Sequence, residues 1–339
     1  MAPSSTARAD IAVLGAGSWG TALAIQCSRA GRPARLWGRD TEHVQLLARE
    51  RINARYLPNA PFPDTLRVAP SLEAAINGVD DVLLAVPSHA FRELLQTLQP
   101  LLAGPVRLCW ATKGFEQDTG LLPNEVAHAV LGFGRPVAVL SGPTFAAEVG
   151  AGLPTAMTIA SAEAGYADLL ARDFSSASFR AYTSTDITGV EVGGAVKNVL
   201  AIGAGLCDGL GFGANTRIAL ITRGLVEMTR LGVALGARRE TFMGLAGLGD
   251  LVLTCTDDHS RNRRFGLALG EGAPVEAVLQ QIGQVVEGYR AAMALRRVAE
   301  RERVEMPICE GIFGVLYERL PAWQVVRGLM ARPVKPEFD

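Results

Sequence analysis

Between Glu191 and Asp208 the one charged side chain is Lys197, set among Val196, Val199, Leu200 and Ile202. An ammonium among apolar neighbours is costly unless it is paired or put to use, so the position suits a group that gives and takes a proton. The ordinary alternative is a lysine stretching along its helix to water, and Asn198 beside it offers a neutral polar partner. Lys113, in Trp110-Ala111-Thr112-Lys113-Gly114-Phe115, follows the apolar run Val106–Ala111. Ser141-Gly142-Pro143-Thr144 likewise ends the run Val137–Ser141. If both runs are parallel strands, both loops lie at the carboxyl edge where open α/β sheets place their ligand crevice. Gly247-Leu248-Gly249-Asp250 and Thr254 come next, followed by Ser260-Arg261-Asn262-Arg263-Arg264. Three arginines with hydroxyl and amide donors suit a phosphate dianion, though a solvated basic face would read the same way.

Near the start, the apolar run Ile11–Leu14 leads into Gly15-Ala16-Gly17-Ser18-Trp19-Gly20 and then a helix, Thr21–Ala30, closed by Gly31. A strand, G-x-G-x-x-G and a helix in that order make a dinucleotide site. Gly15 permits the turn, Gly17 lets the backbone approach a pyrophosphate, and Gly20 lets helix and strand pack closely. The second strand, Ala34–Gly38, ends in Leu36-Trp37-Gly38-Arg39-Asp40. An NAD site usually puts a carboxylate at this strand end, whereas Arg39 would pair the 2′-phosphate of NADP. Asp40 follows Gly20 at nearly the spacing of an NAD-type acid, so both readings stand.

These residues need a scaffold, and the remaining pattern supplies one. Apolar runs at Val82–Val86, Val106–Ala111 and Val137–Ser141 alternate with helix-like Phe91–Leu102 and Leu121–Val130, which predicts a parallel, doubly wound sheet. After Asp186 helical spacing takes over: Val192, Val196, Val199 and Gly203 share one face, and Ala214–Leu235 continues in kind. The expected division is residues 1–190, binding the nucleotide, and 191–339, an all-helical substrate and catalytic domain, with Pro333 to Asp339 as a tail. At 339 residues, two domains are the natural expectation.

A net charge of −1 gives no overall basic excess for nucleic acid, so anions must be bound locally. The four histidines form no triad or ligand set, and the five cysteines have no CxxC spacing; free, buried thiols and no metal are expected. The first nine residues mix small and polar types without an apolar core, and later apolar runs stay short of ~18 residues, so a cytoplasmic protein without a membrane association is expected.

Together GAGSWG, TKGFE, LSGPTFAAEV, GGAVKN, GLGDLVLTC and SRNRRFG resemble, in order and spacing from about Asp10 to Leu329, the bacterial NAD(P)-dependent glycerol-3-phosphate dehydrogenases. The resemblance implies a Rossmann domain followed by a helical domain of the 6-phosphogluconate dehydrogenase type, usually as a homodimer. It implies an NAD(P)-dependent oxidoreductase that reduces dihydroxyacetone phosphate to sn-glycerol 3-phosphate for phospholipid synthesis; the position of Arg39 leads to the expectation that NADPH is preferred and NADH accepted. Lys197 would exchange the proton at the C2 oxygen, with Lys113, Asp250 and Thr254 around the carbonyl. Gly142, Thr144, Ser260, Arg261 and Asn262 would hold the substrate. Ser18, Trp19, Arg39, Tyr56, Lys113, Ala146, Arg261, Val285 and Glu287 would touch the cofactor, with Gly15, Gly17 and Gly20. Thr144 stands where many members have Ser, and either hydroxyl can donate. Two competitors remain: a ketopantoate or hydroxyacid reductase of the same two-domain class, which needs a carboxylate site, and an NADP-sensing protein without turnover.

Overall fold

A computed structural model describes residues 9–102, 104–334 and 336; the polar start of the chain and the end of the expected tail lie largely outside this range. Two compact units emerge: residues up to 113 with 121–191, and 114–120 with 192 onward.

In the first unit β1 (Ile11–Leu14) leads through α1 (Ser18–Arg29) to β2 (Ala34–Trp37) and α2 (Thr41–Glu50). A small antiparallel hairpin, β3 (Ile52–Asn53) and β4 (Leu57–Pro61), precedes β5 (Leu66–Val68) and α3 (Leu72–Ile76). Then β6 (Asp81–Leu84), α4 (Ser88–Leu98), β7 (Arg107–Trp110), α5 (Pro123–Leu131) and β8 (Val137–Ser141) alternate. The unit ends with α6 (Ala146–Ala151), β9 (Thr155–Ala160), α7 (Ala164–Phe174) and β10 (Phe179–Ser184). The main sheet has the order β10-β9-β8-β7-β6-β1-β2-β5. Central β1 and β6 are buried along their whole length, as strands covered on both faces must be.

The sheet is parallel from β5 through β8, as the alternation predicts, and then reverses: β9 runs antiparallel to β8, and β10 parallel to β9. The two added strands mix Thr, Ser and Arg with apolar residues, and β10 is an edge strand with polar side chains facing outward, so neither shows a clean apolar run. The helix after the glycine loop begins at Ser18, three residues before the expected Thr21, because the loop itself forms the first turn.

At the amino-terminal edge of the sheet a largely buried charge network joins the loop between α1 and β2 to β6, β7 and α7. Arg32 donates to Asp81 (2.5 Å) and to Asp173, while Arg107 donates to both oxygens of Asp81 (2.8 Å each). Burial alone would raise the Asp81 carboxyl, and the Arg107 and Arg32 contacts overcome it and hold the group below its usual value. Removing one partner from such a network strands the others, at a cost of roughly 3–5 kcal/mol.

The division between units falls inside α8 (Ile187–Gly209), between Glu191 and Val192. Around it the second unit arranges α9 (Ala214–Ala234), a π-turn at Leu245–Gly249, α10 (Asp250–Thr256), α11 (Arg261–Gly270), α12 (Val275–Ile282), α13 (Glu287–Glu302), α14 (Pro307–Tyr317) and α15 (Ala322–Met330). No strand occurs among the described residues after β10. Among them α8 alone is long and apolar enough to cross a membrane, and its apolar window is wholly buried in the fold. All five cysteines are buried and free.

Glu227 on α9 turns inward to accept from the backbone N–H groups of Ile308 (2.7 Å) and Cys309 (3.1 Å), capping α14 from outside its own sequence. Burial pushes its carboxyl from 4.5 up to about 7, although the two amide contacts favour the charged form. Between these pH values the unfolded chain releases this proton and the folded chain keeps it. The stabilisation is therefore complete below pH 4.5 and is lost as pH rises through about 7. Glu227→Gln should remove a contribution on the order of 3 kcal/mol to the pH dependence of urea unfolding across that window. A slope identical to that of the unsubstituted protein would exclude this role.

Candidate functional site

The glycine loop is shaped by what cannot fit in it. Gly15 has φ 122°, and a side chain there would begin 2.4 Å from the Ala85 carbonyl oxygen. One on Gly20 would begin 1.9 Å from the Gly15 oxygen. At Gly17, by contrast, a Cβ would meet nothing within 4 Å, which leaves open space before the first turn of α1. Gly17 is the N-cap residue and brings no side chain to close that turn. The first ladder bond runs from Thr21 N to Gly17 O (3.0 Å), so the N–H groups of Ser18, Trp19 and Gly20 precede it and find no acceptor within the helix. Donors and helix dipole together suit a pyrophosphate. The Trp19 indole N–H beside them is sealed from solvent without a hydrogen-bond partner.

Asn53 was not foreseen. Fully buried, it donates to Ala16 O (3.1 Å) and Thr21 Oγ1 (2.8 Å) and accepts from Tyr56 N (3.2 Å), which fixes Tyr56 relative to the glycine loop. Its partners on the loop lie 37 and 32 residues away, so no local motif could announce it. At the end of β2, Gly38 packs against Ala16, and both Arg39 and Asp40 are exposed. The Asp40 carboxylate caps α2 by accepting from His43 N (3.1 Å).

The other sheet-edge loops are equally constrained. Thr112 donates to Val86 O (2.7 Å), and half-buried Lys113 follows it. Gly142 has φ 151°, and its neighbour Ser141 keeps a buried hydroxyl without a partner. Thr144 Oγ1 donates to Gly142 O (3.2 Å), and Ala146 opens α6.

In the second unit Lys197 is 8% exposed and Asp250 1%. The Lys197 ammonium donates to Asp250 Oδ1 (2.5 Å) and Thr254 Oγ1 (3.1 Å), while the Thr254 hydroxyl donates to Asp250 O (2.6 Å). Lys197 is thus held by a carboxylate and a hydroxyl, not extended to water. The approach depends on Gly193, one turn earlier on α8, where any Cβ would lie 2.3 Å from the Ala246 oxygen in the π-turn that delivers Asp250. Such turns often mark functional sites. Burial pushes the nearby Cys255 thiol up to about 12, against the Lys197 charge that favours the thiolate, so it stays protonated.

Asn198 does not serve Lys197. Consecutive helix residues diverge by about 100°, and Asn198 instead donates to Glu287 (3.2 Å) and accepts from Asn262 (3.0 Å). Asn262 in turn accepts from Gly288 N (2.8 Å), so this chain of contacts joins α8, α11 and the start of α13. Arg261 reaches Gln284 (3.1 Å), next to exposed Val285. The three-arginine cluster separates in space. Arg263 is buried and engaged by Asp208 (2.7 Å) and Asp258, and the Ser260 hydroxyl caps α11 by accepting from Arg263 N. On α11, Arg261 and Arg264, three residues apart, share one face, and Arg263 points away from it.

The first unit therefore offers an anion-binding loop suited to a dinucleotide, and the second a buried, paired ammonium. Residues 10–167 match the model of the NAD-dependent glycerol-3-phosphate dehydrogenase N-terminus, and residues 186–327 that of the C-terminus. A glycerol-3-phosphate dehydrogenase [NAD(P)+] from Halorhodospira halophila is 55% identical over 97% of this chain and 98% of its own. One from Vibrio cholerae is 54% identical over 97% and 96%. The crystal structure of glycerol-3-phosphate dehydrogenase from Coxiella burnetii superposes with a TM-score of 0.92 at 47% identity, covering 96% of this chain and 99% of that one. With both halves matched by sequence and the whole fold matched in space, the chain belongs to the NAD-dependent glycerol-3-phosphate dehydrogenase family.

Proposed function

We propose that the protein reduces dihydroxyacetone phosphate to sn-glycerol 3-phosphate, and runs the reverse reaction, using a nicotinamide dinucleotide with NADPH preferred, so that it supplies the glycerol backbone of phospholipids. Residues 1–190 bind the nucleotide and residues 191–339 the substrate, in a cytoplasmic homodimer. The observation that carries this reading is the buried Lys197 amine, held by Asp250 and Thr254. The nicotinamide supplies the hydride when bound.

Ser18, Trp19 and Gly20 present N–H groups to the pyrophosphate, and Arg39 pairs the 2′-phosphate. Asp40 caps α2 through one oxygen and leaves the other exposed. Tyr56, Ala146, Val285 and Glu287 complete the nucleotide contacts. Arg261, with Ser260, Asn262, Gly142 and Thr144, holds the phosphate and hydroxyls of the substrate. Lys113 and Lys197 polarise the C2 carbonyl. As negative charge develops on that oxygen, the Lys197 ammonium stabilises it and donates a proton; in the reverse direction the neutral amine accepts one. Asp250 and Thr254 keep the amine from rotating away from the reacting atom. A carboxylate-directed reductase would have no use for the phosphate contacts, and a sensor no use for a buried proton donor.

Lys197→Met should lower kcat by about 10² to 10⁴ while NADPH affinity is retained, because the contact matters most in the transition state. The loss of the buried Lys197–Asp250 pair should leave the enzyme folded but less stable. Turnover within a few-fold of the unsubstituted enzyme, with nucleotide binding intact, would hand the proton to Lys113.

Arg261→Ala should impair dihydroxyacetone phosphate far more than unphosphorylated dihydroxyacetone, since remote binding energy also orients the reacting carbon. Equal fold losses for the two ketones would remove the phosphate role. Arg39→Ala should raise the KM for NADPH more than for NADH, by the roughly 1.5–3 kcal/mol of a charge-assisted contact; equal effects on both would exclude Arg39 from selection.

A further inference from the structure

Beside the end of β2 lies a second cation that none of the roles above uses. Arg55 sits in the turn between β3 and β4, and its guanidinium stacks over the Tyr56 ring at 5.0 Å. Its Nη1 is 3.9 Å from Asp40 Oδ2, and both side chains are mostly exposed. The Tyr56 ring also meets His43, in the first turn of α2, edge to face at 5.5 Å. The turn carrying Arg55 is not free to wander, because Asn53 pins Tyr56 N on one side and Ala16 of the glycine loop on the other. The backbone that carries Arg55 is therefore fixed in the first unit, and its side chain lies beside Asp40, the residue that follows Arg39.

We propose that Asp40 and Arg55 form a two-way contact for the adenosine ribose, which lets one site take both NAD and NADP. This rests on the reading of the glycine loop as a nucleotide site. With a ribose 2′-hydroxyl, Asp40 accepts its hydrogen bond on the oxygen that faces Arg55, and the ion pair stays in place. With a 2′-phosphate, Arg55 leaves Asp40 and joins Arg39 on the dianion. The geometry suits this exchange: an exposed pair at 3.9 Å is loosely held, whereas a guanidinium on a phosphate dianion makes short, charge-assisted contacts. Asp40 loses nothing structural in the exchange, because its other oxygen keeps the α2 cap. A site with Arg39 alone would set one guanidinium against both the 2′-phosphate and the nearby Asp40 charge, and Arg55 adds a second positive charge there.

The test is equilibrium binding to the substrate-free protein, followed by nicotinamide fluorescence with NADPH and NADH, and by competition with adenosine 2′,5′-bisphosphate and AMP. Arg55→Ala should weaken NADPH and the bisphosphate about tenfold and leave NADH and AMP within about twofold. Asp40→Asn preserves the helix cap, since the two residues cap comparably, and should weaken NADH about threefold while NADPH holds or tightens. Arg55→Lys, which keeps the charge, should recover part of the NADPH affinity, and melting temperatures of all variants verify folding. If Arg55→Ala shifts both nucleotides by one common factor, or Asp40→Asn leaves their ratio unchanged, the two-way contact is overturned. Should the unsubstituted protein bind neither nucleotide, the dehydrogenase reading itself falls; nucleotides that bind with a ratio indifferent to Arg55 sink this inference alone.

Discussion

A charged amine kept out of water sets the terms for the second unit. Lys197 is the one charged residue on α8 between Glu191 and Asp208, and its ammonium is tolerable there only with a carboxylate at contact distance. Bringing Asp250 that close requires the π-turn backbone to press against α8, and that requires a residue without a side chain at Gly193. Thr254 then returns its hydroxyl proton to the Asp250 carbonyl, which leaves its oxygen lone pairs for Lys197. A well-packed apolar pair would hold two helices together at least as well. The presence of the ion pair at this crossing is thus better explained by chemistry than by stability.

The first unit separates these two demands by distance. At the amino-terminal edge of its sheet, Arg32, Asp81, Arg107 and Asp173 satisfy one another. At the carboxyl edge, groups are left for something else to satisfy: the early N–H groups of α1, the Trp19 indole and the Ser141 hydroxyl. One edge pairs its charges with one another, and the other keeps polar groups without a protein partner. That asymmetry follows from parallel strands, which gather all their βα loops on one side.

What could be read from the sequence was what is local. The glycine loop is legible because its six residues carry their own geometric reasons, and the isolation of Lys197 is visible along a single helix. The parallel core was legible because strands buried on both faces are continuously apolar, whereas β9 and β10 lie towards one edge of the sheet and mix polar residues into the pattern. Long-range partners were not legible. Asn53 finds its neighbours on another element, Asn198 turns away from the lysine beside it, and Arg263 is drawn to Asp208 on α8. Where a role depends on which face of a helix a residue occupies relative to a distant element, adjacency in sequence misleads. Asp250 as the partner of Lys197 was not legible either: the family resemblance put it around the substrate carbonyl, and the pairing appears only in the fold.

The short segment Gly114–Gly120 has a consequence for how the chain can be divided. It leaves the sheet unit directly after Lys113 and groups with the helical unit, where Gln117 O accepts from Arg297 (3.0 Å) and Gly120 packs against Val298. The backbone therefore passes between units at 113/114, at 120/121 and at 191/192. Two units joined by one crossing are beads on a string and can be cut apart; three crossings make a stitch. A fragment ending near residue 190 would keep the seven-residue loop and lose everything that loop packs on. Excising the helical half would leave that half short of a piece that lies far upstream in the chain. The separation into units is one of packing, and the polypeptide does not permit it as a separation of parts.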